Sequence, residues 1–374
     1  MATLIDVHQA DDARDVIHRA VQVLVEGGSV AFPTETVYGL AASALNEDGV
    51  QRLIEITQRG AGDPLPLAVK SADDALDYIP TAGPLQRRLA RRCWPGPVTL
   101  VVDDRHPESL LKQLPARVQE AVSPNGTVGL RVPAHRLILE VLGLLAGPLT
   151  LTSVGERDAV NAKEVMERLG DQVDLVLDDG EAHYGQASTV LHVQGNQMEV
   201  LREGVVSENT ARRLASFVVV LVCTGNTCRS PMAEVLLRKR FAEKLGCAEA
   251  ELEDRGVVIL SAGLAAAGGM MASPEAVAVM KEQGLDLTDH ASQPLTERML
   301  RDADVLFTMT QGHLWSLQAH QGSVANRAML LRPDGQDIAD PIGASREMYA
   351  ACARQIDEAL QARLEEMDLK ALLP

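Results

Sequence analysis

The 374-residue sequence exceeds the size at which one hydrophobic core usually stops growing, so two domains are expected. A hydrophobic content of 46% with 23% charged residues is typical of a folded globular protein. The net charge of −17 opposes attraction to nucleic acid or to an anionic membrane, so direct binding of either is not expected.

The N-terminal sequence and the cysteine content indicate the cellular compartment of the protein. Residues Met1–Gln9 lack the basic start and apolar stretch of an export signal, and no apolar run in the sequence reaches the roughly 18 residues that cross a bilayer. The five cysteines are odd in number and scattered, unlike a disulfide framework. We therefore expect a cytoplasmic protein with no membrane attachment.

The N-terminal half alternates between helix-like and strand-like segments, as mixed α/β architectures do. A helix is predicted near Asp11–Glu26, and the arginine-rich run Arg87–Arg92 is predicted to be the solvated face of another, with anion binding as the alternative. Strands are predicted at Ser29–Phe32, Val98–Val102, Gly129–Val132, Leu175–Leu177 and Val190–Val193.

The segment Ala31–Leu40, Ala-Phe-Pro-Thr-Glu-Thr-Val-Tyr-Gly-Leu, joins an apolar strand to a hydroxyl-rich turn suited to a small polar ligand. With Cys93–Leu100, Val128–Pro133, Ala187–Val190 and Leu201–Gly204, it resembles the threonylcarbamoyl-AMP synthase family over about residues 11–207. That family makes a threonylcarbamoyl adenylate from threonine, bicarbonate and ATP for transfer RNA modification. The resemblance implies a site for ATP and threonine at Thr34, Arg59, Arg131, Ser153 and Ser188.

Two departures from the family pattern concern this site. The family's Lys-x-Arg is Thr57-Gln58-Arg59 here, and its Ser-x-Asn is Ser153-Val154-Gly155. Losing an ammonium and an amide that face the ligand weakens charge-assisted and polar hydrogen bonding. We therefore expect reduced synthase activity. The alternatives are a bifunctional enzyme that retains the synthesis, and a degenerate domain that senses a nucleotide or positions the second domain.

The polar stretch Ser207–Ser216 is predicted to be a short linker or an exposed helix. We therefore place one domain at 1–207, a linker at 208–216 and a second domain at 217–374.

The second domain opens with Phe217–Val222, a continuous apolar run typical of a strand covered on both faces of a parallel sheet. A helix is predicted at Met232–Lys244, with Pro231 in its first turn. Further strands are predicted at Val257–Leu260, Val305–Met309 and Ala328–Leu331, and further helices at Pro274–Gln283, Gln311–Ala319 and Arg346–Met367. This alternation predicts a doubly wound parallel-sheet domain.

Between the first strand and helix lies Cys-Thr-Gly-Asn-Thr-Cys-Arg-Ser, residues 223–230. Backbone N–H groups and the helix dipole make such a loop an anion site, and Gly225 and Asn226 tolerate the left-handed angles it needs. Cys223 is then a stabilised thiolate nucleophile, and the planar fork of Arg229 matches two phosphoryl oxygens. The remaining predicted loop residues are Thr224, Gly225, Asn226, Thr227, Cys228 and Ser230.

A general acid is still needed for the leaving group. Asp340, in the turn Asp340-Pro341 after a predicted strand, is placed near the ligand-binding edge of a parallel sheet. Asp334 and Asp337 are rival carboxylates. The histidines His290 and His313 have no motif around them and are expected on the surface or in packing.

These residues resemble the low-molecular-weight protein tyrosine phosphatase family, which carries Cys-x-Gly-Asn-x-Cys-Arg-Ser-Pro and a later Asp-Pro. The resemblance extends over 217–374 and includes Ser261–Gly263 and Ala303–Met309. It implies a phosphocysteine intermediate hydrolysed by water, no cofactor, no metal and phosphorylated proteins as substrates. It also implies that Cys228 caps Cys223 as a reversible disulfide under oxidation.

Two sites in the sequence indicate which phosphorylated side chain is the substrate. Thr227 makes the pocket wall small and polar, and Ile342-Gly343 supplies no ring to stack on a phenol. The loop resembles that of the protein arginine phosphatase branch, and this resemblance implies phosphoarginine as the substrate, with phosphotyrosine as the alternative. Arsenate reduction needs a relay pair of cysteines, which Cys247 and Cys352 do not form.

Overall fold

The computed structural model describes residues 2–60, 62–103, 105–155, 158–319 and 324–374. Contacts divide the chain into two units, Met1–Leu214 and Ala215–Pro374. Both units mix helices with strands, which confirms the predicted two-domain α/β class. Within the described residues, no helix is long and apolar enough to cross a membrane.

The N-terminal unit contains a ten-stranded mixed sheet in the order β1-β8-β2-β3-β7-β4-β6-β5-β9-β10. Its strands are β1 Thr3–Asp6, β2 Val30–Phe32, β3 Gly39–Ser43, β4 Leu67–Ala68, β5 Val98–Asp103, β6 Thr127–Arg131, β7 Leu149–Ser153, β8 Leu175–Asp178, β9 Thr189–Gln194 and β10 Gln197–Arg202. Its helices are α1 Ala13–Val25, α2 Glu47–Thr57, α3 Ala72–Tyr78, α4 Pro84–Cys93, α5 Ala116–Val122, α6 Arg136–Leu144, α7 Ala162–Leu169 and α8 Glu208–Ala215.

Helices α1 and α6 pack together against β2, β3 and β8, and their apolar faces form one core of this unit. Helix α8 occupies most of the segment predicted to be a linker. The predicted domain limits at 207 and 217 stay a prediction.

The arginine-rich helix α4 differs from its prediction as a solvated face. Arg88 is only 1% exposed, and Arg91 and Arg92 are half-buried. Arg92 Nη1 donates a hydrogen bond to the carbonyl oxygen of Leu214, at 2.7 Å. Arg87 is exposed as predicted, but the prediction is wrong for Arg88, Arg91 and Arg92, because long arginine stems pack along apolar surface.

The C-terminal unit contains a four-stranded parallel sheet in the order β12-β11-β13-β14. The strands are β11 Phe217–Cys223, β12 Val257–Gly263, β13 Val305–Thr308 and β14 Ala328–Leu330. The helices are α9 Arg229–Leu245, α10 Pro274–Glu282, α11 Glu297–Asp302, α12 Gln311–Gln318, α13 Arg346–Glu366 and α14 Leu369–Leu372.

Strand β11 is buried throughout because helices cover both faces of the sheet. Phe217 and alternate residues after it pack against α9, α10 and α13, whereas Val218 and its alternates pack against α11 and α12. This two-sided packing confirms the predicted doubly wound architecture. It also places the carboxyl end of β11 at the centre of the sheet edge where such folds bind ligands.

Candidate active site

The loop between β11 and α9 surrounds the sulfur of Cys223, a residue that is 3% exposed. The backbone N–H of Asn226 donates a hydrogen bond to Cys223 Sγ over 3.2 Å, and Ser230 Oγ lies 3.0 Å from the same sulfur. Helix α9 begins at Arg229, so the positive end of its dipole adjoins the loop. Donors and a dipole of this sign stabilise a negative sulfur and an anion bound beside it.

Asn226 fixes the shape of the loop. Its φ of 55° lies in the left-handed region, which asparagine tolerates better than most residues. Its buried side-chain Nδ2 donates to Ser230 Oγ and Ser261 Oγ, each at 2.9 Å, and its side-chain Oδ1 accepts from the backbone N–H of Gln293 at 2.8 Å. Ser261 in turn donates to Glu234 Oε2 at 2.5 Å. One side chain therefore ties the loop to α9, to β12 and to the segment before α11.

Gly263, at the end of β12, allows the neighbouring strand to approach the loop. A Cβ atom at this position would lie 2.6 Å from the carbonyl oxygen of Thr224 and 3.0 Å from Asn226 N. The next amide, of Leu264, donates to the Cys223 carbonyl at 2.9 Å. A side chain at 263 would therefore displace the loop backbone.

Arg229 connects the loop to the turn that contains Asp340. Its guanidinium, 5% exposed, donates from Nη1 to the Ile338 carbonyl at 3.1 Å and from Nη2 to Asp340 Oδ2. The Asp340 side chain is 41% exposed, and its Oδ1 accepts from Ile342 N at 3.2 Å. The structure therefore brings the predicted arginine of the loop and the predicted acid into contact with each other.

The rival carboxylates are engaged elsewhere. Asp334 forms a two-pronged ion pair with Arg332. Asp337 Oδ1 accepts from Gln311 N at 2.7 Å, at the start of α12. Of the three aspartates in this segment, Asp340 is the one that meets Arg229.

Two histidines expected to have surface or packing roles contact the loop instead. His290 Nε2 lies 2.8 Å from the Asn226 carbonyl, and His313 Nε2 lies 2.9 Å from Thr224 Oγ1. Burial, and then the positive charge of Arg229, lower the pKa of His313. Sequence reasoning missed both contacts because neither histidine has a motif, and each reaches the loop only through the tertiary fold.

Cys228 and Thr227 lie on the loop beside a buried tyrosine. Thr227 Oγ1 is 3.7 Å from Cys228 Sγ, and the Tyr349 hydroxyl is 3.3 Å from that sulfur. Burial raises the pKa of Tyr349 to about 12. Burial likewise raises the pKa of Cys352 to about 12, so this thiol is unsuited to a redox relay.

The N-terminal unit contains a separate cavity of about 380 Å³. It is lined by all five residues of the predicted ATP and threonine site: Thr34, Arg59, Arg131, Ser153 and Ser188. These side chains come from the β2–β3 connection, the segment after α2, the strands β6 and β7, and the residue before β9. The structure therefore brings together residues that are distant in sequence.

Three arginine side chains line the cavity, and they differ in whether a carboxylate pairs with them. Arg131 forms a buried ion pair with Glu35 at 2.8 Å, and Arg59 pairs with Asp63 at 3.2 Å. Arg202, which was not among the predicted site residues, donates to the Ser188 carbonyl at 2.9 Å. Burial lowers the pKa of Arg202; the negative charge of Asp158 opposes this shift, and the charges of Arg131 and Arg59 add to it. An anion in the cavity would relieve this repulsion.

The two altered motif positions do not compensate for the groups they replace. Thr57 Oγ1 donates to the Leu53 carbonyl of its own helix at 2.7 Å, so its hydroxyl is already used. Gly155 has a φ of 74°, and among the described residues no atom beyond its chain neighbours lies within 4 Å of the position that its Cβ would take. Neither residue lines the cavity.

The parallel sheet and the strand–loop–helix unit that carries Cys223 and Arg229 define the C-terminal unit as a cysteine-dependent phosphatase domain of the doubly wound class. Residues 218–372 match the family described as low molecular weight phosphotyrosine protein phosphatase. Residues 22–204 match the family described as telomere recombination.

Curated relatives match each half. The protein-arginine-phosphatase of Bacillus subtilis is 33% identical over 153 residues, which cover 40% of this chain and 95% of that protein. The threonylcarbamoyl-AMP synthase of Mus musculus is 31% identical over 222 residues, 57% of this chain and 75% of the relative. The chain therefore belongs to the low molecular weight phosphatase family through its C-terminal unit and to the threonylcarbamoyl-AMP synthase family through its N-terminal unit.

The synthase of Pyrococcus abyssi is 34% identical over 192 residues, 50% of this chain. The chain spans about half of that relative, 54% of its length.

Proposed function

We propose that the C-terminal unit hydrolyses phosphorylated protein side chains through a phosphocysteine intermediate, with phosphoarginine as its principal substrate. The environment of Cys223 Sγ carries this proposal, because the Asn226 amide, Ser230 Oγ and the start of α9 all converge on it. In this proposal Cys223 is the nucleophile, Arg229 binds the phosphoryl group and Asp340 is the general acid. The proposed phosphate-binding loop comprises Thr224, Gly225, Asn226, Thr227, Cys228 and Ser230.

The first step transfers the phosphoryl group to sulfur. The Cys223 thiolate attacks phosphorus, the bond from phosphorus to the leaving atom breaks, and Asp340 gives that atom its proton. Arg229 holds equatorial oxygens as their charge is redistributed, since its fork matches two of them. The phosphoryl group displaces the Asp340 carboxylate from its ion pair with Arg229, and the displaced carboxylate takes up a proton from solvent before it acts as the acid facing the leaving atom.

The second step regenerates the enzyme. Water attacks the phosphocysteine, its proton passes to the Asp340 carboxylate, and the bond between phosphorus and sulfur breaks. The thiolate returns to its hydrogen bonds with Asn226 N and Ser230, and inorganic phosphate leaves. These side chains account for the proton transfers without a cofactor.

Three observations support phosphoarginine as the substrate. The Bacillus subtilis relative, which aligns over nearly its whole length, is a protein-arginine-phosphatase. Thr227 presents a small polar wall, and the residue two positions after Asp340 is the aliphatic Ile342, 70% exposed, which offers no ring to a phenol. Asp340 also suits the substrate guanidinium, because a carboxylate pairs well with that planar cation.

Phosphate release from otherwise identical phosphoarginine, phosphotyrosine and phosphoserine peptides tests the proposal. Wild type should prefer phosphoarginine, Cys223→Ser should lose turnover by on the order of 10³-fold or more, and Thr227→Ile should shift preference toward phosphotyrosine. Cys247→Ser, a thiol change outside the loop, is the matched control. A wild-type preference for phosphotyrosine would overturn the substrate assignment, and turnover by Cys223→Ser would overturn the mechanism.

For the N-terminal unit we infer binding of ATP and threonine, with threonylcarbamoyl adenylate formed more slowly than in relatives that keep the lysine and asparagine. The supporting observation is that Thr34, Arg59, Arg131, Ser153 and Ser188 line one cavity. The absence of an ammonium at 57 and of an amide at 155 removes two charge-assisted or polar contacts.

Calorimetry with ATP and threonine, combined with a pyrophosphate-release assay, separates binding from synthesis. We expect measurable binding and little pyrophosphate, and we expect Thr57→Lys with Gly155→Asn to increase pyrophosphate release. Absence of heat with either ligand would refute the inferred binding. Release that is already rapid in the wild type would refute the inferred loss of activity.

We propose the cytoplasm as the location and phosphorylated proteins as the partners. All five cysteines are free, which suits a reducing compartment. The net charge of −17 supports the expectation that nucleic acid is not bound directly.

A further inference from the structure

One hydroxyl of the catalytic loop is held by a buried histidine that has no part in the proposed mechanism. His313 Nε2 lies 2.9 Å from Thr224 Oγ1, and Thr224 directly follows the nucleophile Cys223. His313 is 8% exposed and lies in the first turn of α12, where its backbone N–H donates to Thr310 Oγ1 at 3.3 Å. The helix therefore fixes the ring, and the ring fixes the threonine.

The other ring nitrogen indicates where the proton of the imidazole lies. His313 Nδ1 is buried and has no hydrogen-bond partner among the described residues. A buried N–H without an acceptor is rarer in proteins than a buried acceptor without a donor. The proton is therefore assigned to Nε2, which donates it to Thr224 Oγ1.

The surroundings of His313 keep its ring neutral. Burial, and then the positive charge of Arg229, lower the pKa of His313, whereas the carboxylates of Asp340 and Asp337 oppose the shift. The ring also lies at the positive end of the α12 dipole, which disfavours an imidazolium. Helix α12 packs on β13 and β14, and neither strand carries a charged residue. A neutral ring therefore donates to Thr224 at neutral pH.

The Thr224 hydroxyl keeps one lone pair and its own proton for a ligand. Within the part of the chain that the structure describes, this hydroxyl has no hydrogen-bond partner besides His313. Thr224 is exposed, whereas Cys223 and Arg229 are buried, at 3% and 4% exposure. A phosphoryl group bound over the sulfur occupies the buried part of the loop, so the exposed hydroxyl is left for the part of the substrate beyond phosphorus.

The two candidate substrates differ in what they offer to this hydroxyl. The guanidinium of phosphoarginine carries N–H donors, which an oxygen lone pair accepts, whereas the ring of phosphotyrosine carries none. Asp340, the proposed general acid, is close enough to His313 for its charge to act on the ring. The pair of Thr224 and His313 therefore lies near the carboxylate that acts on the leaving group.

We propose that Thr224 is a specificity-determining residue, which accepts a hydrogen bond from the guanidinium of a phosphoarginine substrate, and that His313 is the residue that positions it. His313 acts through the threonine and does not touch the substrate. The inference rests on the proposed phosphatase function and adds to it a second residue, besides Thr227, that selects the phosphorylated side chain.

Rates on otherwise identical phosphoarginine and phosphotyrosine peptides test the pair. Thr224→Val removes the hydroxyl at nearly constant shape, so it should lower kcat/KM for phosphoarginine by about tenfold and for phosphotyrosine by less than about twofold. His313→Phe should have the same effect. The double variant should lose no more than either single variant, because the two residues act as one unit. His18→Gln, which changes an exposed histidine of the N-terminal unit, is the control.

The pH dependence separates positioning from packing. In the wild type, the ratio of kcat/KM for phosphoarginine to that for phosphotyrosine should be full above about pH 6.5 and should fall as the pH drops through the lowered pKa of His313, because a charged ring no longer fits its buried place. His313→Gln keeps a side-chain N–H donor that does not titrate. Its ratio should match that of the wild type at pH 7 and should exceed it at lower pH. Titration of the substrates is common to both proteins and cancels in the comparison.

Equal losses on both peptides in Thr224→Val, losses that add in the double variant, or the same pH dependence in the wild type and His313→Gln would each overturn the proposal. Failure of the proposed function is a separate outcome, in which the wild type releases no phosphate from phosphoarginine peptides. The pair is then judged by fluorescence anisotropy, with phosphoarginine peptides bound to Cys223→Ser with and without Thr224→Val. Binding that is about tenfold weaker with the second change supports the proposal, whereas unchanged binding, or none to either protein, refutes it.

Discussion

Replacing Asn226 by alanine should loosen the catalytic loop and destabilise the C-terminal unit. The side chain makes three buried hydrogen bonds, two donated to Ser230 and Ser261 and one accepted from Gln293 N. At about 1 kcal/mol each their loss costs about 3 kcal/mol. The φ of 55° adds about 1 kcal/mol of strain once a residue that tolerates it poorly takes its place. We therefore expect Asn226→Ala to lose about 4 kcal/mol of unfolding free energy.

Asn226→Gly separates the two contributions. Glycine adopts the left-handed conformation freely but makes none of the three bonds, so its loss should be smaller by about 1 kcal/mol. Hydrogen exchange of the β11 amides in the full-length chain measures the opening of this unit directly, since that strand is buried throughout. Both variants should also lose kcat by about 100-fold, because the nucleophile is no longer held in place. If the β11 amides of both variants exchange as slowly as those of the wild type, this account of the loop is refuted.

Three further changes probe other parts of the molecule. Gly263→Ala should lower kcat and stability by about 1–3 kcal/mol, measured by peptide kinetics and hydrogen exchange, because its Cβ would lie 2.6 Å from the Thr224 carbonyl. Glu35→Gln should cost the N-terminal unit about 3 kcal/mol in urea unfolding, since it leaves the buried charge of Arg131 uncompensated, whereas exposed Glu26→Gln should not. Because burial lowers the pKa of His313, below about pH 6.5 the unfolded chain binds a proton that the folded chain excludes. His313 therefore stabilises the C-terminal unit in full above that pH, and this stabilisation is lost as the pH falls. The hydrogen-exchange protection of the unit should decline with it in the wild type, and His313→Gln should flatten that decline.

The elements that carry the catalytic loop were predictable because their signals are local. Phe217–Val222 is apolar without interruption, and the structure extends it only to Cys223. Gly246, with a φ of 64°, ends α9 close to the predicted limit at Lys244. Every predicted helix and strand has a counterpart in the structure, with limits that differ by three residues at most.

Strand β3 shows what local signals miss. Its sequence, Gly-Leu-Ala-Ala-Ser, has low strand propensity, yet Gly39–Ser43 is buried between β2 and β7. Small residues succeed there because tertiary pairing on both sides outweighs propensity. Arg88, Arg202 and the histidines beside the loop were missed for a related reason, since their roles depend on neighbours that are distant in sequence.

The ion pair between Arg229 and Asp340 bears directly on the proposed substrate. A phosphoryl group entering the loop competes with the Asp340 carboxylate for the Arg229 guanidinium, because both are anions and that guanidinium is 5% exposed. A substrate that carries its own guanidinium gives Asp340 a replacement partner, so two ion pairs exchange and neither anion is left alone. Phosphotyrosine has no cation at this position, so the Asp340 carboxylate that it displaces is neutralised by proton uptake alone. The exchange of ion pairs therefore favours the binding of phosphoarginine, whereas the role of Asp340 as an acid is the same with either substrate.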